Sequence, residues 1–497
     1  MSDESENRLI QAAPTGRHAT AETQGDTPSQ IPSRGRGRGR SAYATRDLTT
    51  GDIGRNLWFL AWPQTVTGAL RVVDQLADLV WAGFIGSLAI AGLGVAQTYS
   101  GIAFTARMGM DVGMRALVSR AVGMGDTALA QHVVFQAATI TLGYAVLTAL
   151  AGLFLTEFLL GLLGVSDAVI DQGATYMRIH LMGQGVMGFQ QLAGHSLSAS
   201  GDTLTPMRAA IVTRAIHLIA SPMLMFGLAG VPELGLPGAA VASVIAHSVS
   251  LTLLLAVLFR GSSRLHLKLS EYRFDAPMLR QLLKIGGPAS VTGMERSVAQ
   301  LILIVLVAPF GDVAVAAFSL TRRVEMFAHM GAGGFGTAAG IIVGQSLGAG
   351  KPERAKETVR KSLMFTTLIN GSLSALIIAF PLVFLSLFTR EPAFLDVART
   401  WIVIAASGYV ALAIGQVFQH SFQTAGDTMA VMLMTLGTMW VVEIPLAWYL
   451  TQSTDLGQFG VAWAMLASVA VRPFIYTPYF YWGRWMRVGV LGRPGPT

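Results

Sequence analysis

Residues 71–81 read RVVDQLADLVW and lie inside an apolar stretch, Leu57 to Ile85, long enough to cross a bilayer as a helix. Arg71, Asp74 and Asp78 are three and four residues apart, so a helix stacks all three side chains on one face. A carboxylate at the bilayer centre costs roughly 2.5–3.5 kcal/mol on insertion scales, so two of them one turn apart call for a function. Two ionised carboxylates that close repel, and one is expected to hold a proton or share a cation. The chemistry on offer is reversible capture of a coupling ion. Arg214, His217 and Ser221 repeat the same spacing further along the chain. Histidine titrates near neutral pH, with a free value of about 6.5, and suits a proton relay. In this reading Asp78 takes up a proton, Asp74 and Arg214 form a fixed counter-charge, and His217 tunes or relays it. The plainer alternatives are that Arg71 simply neutralises Asp74 and that His217 is a core histidine bonded to a carbonyl.

A second group of charges at membrane depth is Glu295, Arg296, Arg322, Arg323, Glu325 and Glu443. Arg322 and Glu325, three apart, are expected to pair locally. Glu295 or Glu443 would suit a cationic substrate, and Met294, Met326, Phe327 and Trp440 could form an adaptable apolar lining, though such side chains more often face lipid or core. His195/His420, Ser196/Ser421 and Asp202/Asp427 recur near what reads as one membrane face, and the Gly-Asp-Thr after them offers turn and cap chemistry. No nucleophile or metal constellation is legible, so an enzyme is not expected, nor a cofactor or bound metal beyond the coupling ion. The Gly-rich GAGGFG at 331–336 lacks the lysine of a phosphate loop.

The elements that must position these residues follow from composition. Of 497 residues, 52% are hydrophobic and 13% charged, about half the charge of an ordinary soluble protein. There is no cysteine, which excludes disulfides and thiolate chemistry. The first fifty residues are polar, include SRGRGRGRS, and read as a disordered cytoplasmic tail. Windows near 20 residues give twelve candidate spans: 57–84, 88–108, 132–155, 173–198, 209–229, 237–259, 282–308, 313–342, 361–388, 399–424, 430–450 and 459–481. The odd-numbered connections contain a single basic residue, Arg390, whereas the even-numbered ones include RGSSRLHLKLSEYR and GKPERAKETVRK. That bias puts both termini in the cytoplasm of a multi-pass plasma-membrane protein. It also explains the net charge of +7 as a topology signal and not as a nucleic-acid footprint.

PQTVTGALR at 63–71 returns as PASVTGMER at 288–296, and HSLSASGDT at 195–203 returns as HSFQTAGDT at 420–428, both 225 positions later. The same shift aligns Gly86 with Gly311, Gly123 with Gly348 and Gly125 with Gly350. Each repeat holds six spans, an even number, so both halves share one orientation. The expected fold is an all-α membrane protein of twelve transmembrane helices in two six-helix lobes, related by a pseudo-twofold axis along the membrane normal. The lobes would cover 51–259 and 282–485, joined by a cytoplasmic linker at 260–281 and followed by a tail at 486–497. Pro63, Gly68 and Arg71 have identical mates and read as scaffold. Asp74 and Asp78 face Ala299 and Leu303, so the carboxylates belong to one half alone.

The spacing P-x14-D-x4-G-x2-G from Pro63, the VGMGD loop, and SASGDT with TAGDT resemble the multidrug and toxic compound extrusion (MATE) family, within the multidrug/oligosaccharidyl-lipid/polysaccharide flippase superfamily. The resemblance covers residues 52–485. It implies antiport of a bulky small-molecule substrate, usually an organic cation or xenobiotic, against protons or sodium. It places the family's first-span aspartate at Asp78. His217 and Ser221 stand where one branch has Asn and Asp, and Ser243 stands at a Thr position. Those departures remove oxygen ligands that a hard cation prefers, and so favour the proton. The alternative within transport is a flippase or exporter of a lipid-linked or anionic substrate. The arginines scattered through the apolar windows, Arg71, Arg214, Arg296, Arg322 and Arg472 among them, keep that alternative open.

Overall fold

The computed structural model describes residues 46–490 apart from 163–165 and 387–390, and it leaves out the side chains of residues 74–76, 229 and 393. The expected tail therefore lies outside the described residues as far as residue 45, as do 491–497 and the side chain of Asp74.

The described residues form helices joined by short connections. Helices α1 (Ile53–Ile85), α2 (Ser87–Gly123), α3 (Thr127–Phe154), α4 (Asp167–Ala199), α5 (Leu204–Phe226) and α6 (Leu236–Arg260) make up the first repeat. Helices α7 (Ala276–Val307), α8 (Asp312–Gly348), α9 (Pro352–Ala379), α10 (Pro392–Ser407), α11 (Tyr409–Ala425), α12 (Thr428–Ser453) and α13 (Phe459–Trp482) make up the second. Nine of these are long and apolar enough to cross a membrane, and ten if α10 and α11, bent by 44° at Gly408, form one broken span. α1 and α4 are of comparable length but are not among the nine. The sequence suggests a straight helix over 399–424, and the break at Gly408 corrects it. Inside α12, residues Gly437–Glu443 form a π-helical turn, which the apolar pattern does not reveal.

Short polar residues start the helices. Asp52 accepts the Arg55 backbone N–H at 2.7 Å, Asp126 that of Leu129 at 2.9 Å and Asp275 that of Met278 at 3.0 Å, each meeting a donor that the first turn leaves open. Asp202 likewise accepts from the Thr205 N–H at 3.1 Å, whereas its repeat mate Asp427 takes the Tyr479 hydroxyl instead. The same motif thus serves two local purposes. His195 and His420 sit within α4 and α11, and so are helix residues and not part of the turn.

Helix pairings recur between the halves. α1 packs on α5, α2 on α4 and α5 on α6; correspondingly α7 packs on α12, α8 on α11 and α12 on α13. Four apolar clusters result. α1 begins in the second half's core, where Leu57, Leu60 and Ala61 meet Phe335, Ile342 and Phe422, and ends in the first half's, where Ala82 meets Leu93, Met177 and Met225. α7 mirrors it, with Leu282 and Ile285 among Met114, Leu117 and Leu197, and Leu303 among Phe318 and Trp401. Each of these two helices is anchored in both halves. Outside, large apolar side chains such as Phe154, Leu301, Val305 and Phe474 are exposed, as a lipid-facing surface requires.

The halves come into backbone contact where α2 crosses α8. A Cβ on Gly123 would lie 2.1 Å from the Gln345 carbonyl oxygen, and one on Gly348 would lie 2.1 Å from that of Arg120. These are repeat-related contacts, since Arg120 and Gln345 share the same offset, so the crossing is built on bare backbone about a local twofold. Just beyond, Gly125 and Gly350 turn the chain with φ of 78° and 69°, a region open to glycine.

Two segments tie this end together. Residues 261–275 dock on α3: Gln136 Nε2 donates to the Arg273 carbonyl at 2.5 Å, and Tyr272 stacks edge-on with Phe135. The leading segment 48–51 is held by the start of the α8–α9 region, with Arg354 donating to the carbonyls of Leu48, Thr50 and Gly51 and Lys351 to that of Thr49.

Candidate functional site

The first-half site forms where α1 and α5 meet. The two residues, 139 positions apart in sequence, bring His217 Nε2 to 3.5 Å from Asp78 Oδ1, an ion-pair distance longer than a good hydrogen bond. His217 is 2% exposed and Asp78 14%. Ser221, one turn past His217, points its hydroxyl at the Met225 sulfur, 3.4 Å away, and Arg214 stands one turn before His217. Ser243 is half-buried on α6. Arg71 places its guanidinium 5.4 Å from the centre of the Phe104 ring. His180 on α4, absent from the sequence reading, stacks on Tyr176 at 5.7 Å and lies close enough to His217 for the two imidazoles to interact electrostatically. A protonated His217 would sit between an acid and a second imidazole.

A second buried cluster was not legible as a site. Arg107 grips Asp111 through two bonds of 2.6 and 3.1 Å, and also reaches Gln191 at 2.7 Å and the Gly188 carbonyl at 3.3 Å. His195 Nδ1 lies 3.2 Å from the same carboxylate. The local signal was present in RMGMD, an Arg and an Asp four apart in an apolar window. His195, 84 positions further on, gave no hint that it completes the group.

In the second half, Arg322 and Glu325 pair at 2.5 Å as the spacing suggests. His329 extends the group, 3.4 Å from the other Glu325 oxygen and hydrogen-bonded to Gln416. Glu295 and Glu443 are buried on α7 and α12, Glu295 in the fields of Arg296 and Arg472 and Glu443 in that of Arg472, and among the described residues neither Glu295 oxygen has a hydrogen-bond partner. Met294, Met326, Phe327 and Trp440 are exposed.

Between the repeats lies a cavity of about 260 Å³ walled by α2, α7 and α11. Arg115, Arg296, Gln416, Gln419, His420 and Gln423 supply its polar surface, with Thr105, Thr292 and Ser297. Glu295, Glu443, Met294, Met326, Phe327 and Trp440 are not among its walls. Among the described residues no three His, Asp or Glu side chains are grouped to hold a metal ion.

Comparison with known proteins agrees with this architecture. The family profile described as MatE matches residues 63–223 and again 288–449, two segments that start one repeat apart. The chain is 27% identical over 440 residues to the "Probable multidrug resistance protein YoeA" of Bacillus subtilis, spanning 88% of this chain and 95% of that one. It is 26% identical over 406 residues to a "FAD transporter" of Shewanella oneidensis, spanning 80% and 88%. A solved structure from Pyrococcus furiosus, described as "Reverse polarity of binding pocket suggests different function of a MOP superfamily transporter", superposes with a TM-score of 0.81 at 21% identity, covering 90% of this chain and 98% of that one. Repeat, helix pairings and matched segments coincide: the chain belongs to the MATE family, and is a multi-pass membrane transporter and not an enzyme.

Proposed function

We propose that the protein is a proton-coupled antiporter that exports small organic molecules by alternating access of two lobes. The lobes are residues 51–259 and 282–485, each of six spans, with 260–281 as cytoplasmic linker and both termini cytoplasmic. In this count α1 and α4 cross the membrane, and α10 with α11 forms one broken crossing. The observation that carries the coupling assignment is the 3.5 Å approach of His217 to Asp78 inside the first half. Its repeat-related position in the second half, Leu303, is packed in an apolar core. A pair confined to one half is not needed by the shared scaffold.

The mechanism follows from where α1 is anchored. With Asp78 ionised, an imidazolium at His217 is the favoured partner and α1 is drawn to α5. A proton delivered to Asp78 removes that attraction and leaves the imidazolium without its counter-charge. The far end of α1 then moves relative to α5 while its near end stays packed on α8, so protonation biases the arrangement of the two halves. Arg214 and Asp74, on the same helices, supply the remaining charge. Ser221 and Ser243 add two hydroxyls; sodium, which favours several oxygen ligands, is less well served.

For cargo, kinship supports two classes. The resemblance implies organic cations or xenobiotics, and the Bacillus relative is named for multidrug resistance. The Shewanella relative is named for FAD, an anion, which supports the second class. The test is reconstitution in liposomes with a fluorescent substrate and either a pH or a sodium gradient imposed separately. Transport driven by the pH gradient alone, and lost in Asp78→Asn, is the expected result. Dependence on sodium with indifference to pH overturns the coupling assignment.

A further inference from the structure

Resting on the exporter reading, we infer that the central cavity binds an organic anion, whose carboxylate or phosphate lies between Arg115, Arg296 and His420. Arg115 comes from the first repeat and Arg296 from the second, so the two guanidinium groups converge on one space from both halves. No Asp or Glu is among the residues lining that space. Neither arginine makes an ion pair among the described residues, and the buried Nε of Arg115 has no hydrogen-bond partner. A guanidinium at membrane depth without a carboxylate at ion-pair distance is costly, and its forked donors match a carboxylate or phosphate better than any other small group.

The internal repeat shows how this polarity arises. In the first half, His195 is held by Asp111, and Arg107 completes the pair. One repeat later the histidine recurs as His420, but the aspartate becomes Gly336 and the arginine Ala332. Gly336 lies directly against the His420 ring, where an added Cβ would come within 2.8 Å of Cδ2. The acid is therefore replaced by bare backbone, and the imidazole faces the cavity in the company of Arg115 and Arg296, whose fields both reach it. Arg472 and Arg322 add their positive fields at Arg296. The nearest acids are otherwise engaged: Asp111 by Arg107 and His195, and Glu325 by Arg322 and His329. Asp111 also lies in the field of Arg115 and Glu295 in that of Arg296, but both acids are outside the cavity wall and, among the described residues, neither forms an ion pair with its arginine; Glu443 lies in the field of Arg472.

The remaining lining fits the same ligand. Gln416, Gln419 and Gln423 present amide groups along one face of α11, and Ser297 offers a hydroxyl across from them, the Thr292 hydroxyl being donated to the Pro288 carbonyl. The volume of about 260 Å³ lies just below the usual range of roughly 300–1,000 Å³ for small-molecule sites, which suits one charged end of an amphipathic compound.

The experiment uses the full chain purified in detergent and reconstituted in liposomes, with carboxyfluorescein as anionic probe and rhodamine 6G as cationic probe. Saturable binding of carboxyfluorescein to the detergent-solubilised protein is expected, weakened by added salt and weakened roughly tenfold or more in Arg296→Gln and Arg115→Gln. Monodisperse elution and unchanged helical circular dichroism show that the variants fold, and Arg296→Lys, which keeps the charge, should retain part of the affinity. Two sources of the anion are separated by competition. Displacement by phosphatidylglycerol in the micelle assigns a lipid headgroup, and its failure to displace assigns a soluble organic anion. Preferential binding of rhodamine 6G, or carboxyfluorescein binding unchanged in both glutamine variants, overturns the inference. In liposomes the two readings fail differently. Rhodamine 6G moving under a pH gradient while carboxyfluorescein stays put keeps the exporter and discards the anion. Anion binding without transport of either probe does the reverse.

Discussion

His217 on α5 and Asp78 on α1 meet at 3.5 Å, in contact only because two helices far apart in sequence pack side by side. Asp78→Asn keeps the shape and removes the titration. Proton-driven efflux is expected to fall roughly tenfold or more, while downhill exchange of substrate across the membrane continues. Full-rate efflux in this variant under a pH gradient would show that the coupling proton binds elsewhere. His217→Gln should instead displace the pH profile of transport, a readout that simple misfolding does not produce.

The Arg107–Asp111 pair makes the opposite prediction, since it concerns stability. Both side chains are nearly inaccessible, at 4% and 2% exposure, and removing one partner leaves a charge buried without compensation. Asp111→Asn should cost about 3–5 kcal/mol, seen as a marked drop in the thermal midpoint in detergent. The double replacement Arg107→Met with Asp111→Leu should recover most of that loss. If the double variant is no better than the single, the charge is not what matters there.

Gly348→Ala tests the backbone crossing. The new methyl would fall 2.1 Å from the Arg120 carbonyl oxygen, and the two helices must part to admit it. Overpacking of this kind costs about 1–3 kcal/mol and should leave the crossing more accessible. A cysteine in the cavity wall near this crossing, such as Gln423→Cys beside Thr424, which meets Gly344 together with Ser119, should then label faster with a water-soluble maleimide. Unchanged labelling would mean that this crossing does not control entry.

Asp275 sets a pH dependence outside the membrane. The Met278 backbone N–H, and then His132, hold its carboxyl below the ordinary range. The folded state therefore favours the charged form. This contribution is complete above the unfolded value, near 3.9, and is lost as pH falls through the lower folded value. Asp275→Asn should flatten the acid side of the stability profile and leave neutral pH little changed. An acid limb identical to wild type would remove Asp275 from the account.

The helices were largely legible because glycine, proline and short polar caps interrupt an otherwise continuous apolar pattern. Their ends were less so: α2 runs to Gly123 and α8 to Gly348, past the apolar windows, because these extensions are buried against each other and their neighbours inside the protein, a support that hydropathy does not register. The break at Gly408 and the π turn at Gly437–Glu443 depend on neighbouring helices and leave no trace in hydropathy. Asp78 and His217 could be singled out because charge at membrane depth is conspicuous. Arg296 was conspicuous for the same reason, but its identity with Arg71 one repeat earlier gave the two one reading. Only the fold shows that one of them lies over the Phe104 ring and the other faces a cavity.

Residues 48–51, gripped by Arg354 and Lys351, make the chain's first described segment a strap between its beginning and the turn that follows α8. Leu48 is sealed in the second half's core, so the strap is stitched by apolar burial as well as by its carbonyls. Any swing that pulls α1 away from α8 must either carry this strap along or peel it off. A brake of that sort would set how often the doorway opens, independently of what the ion or the cargo contributes.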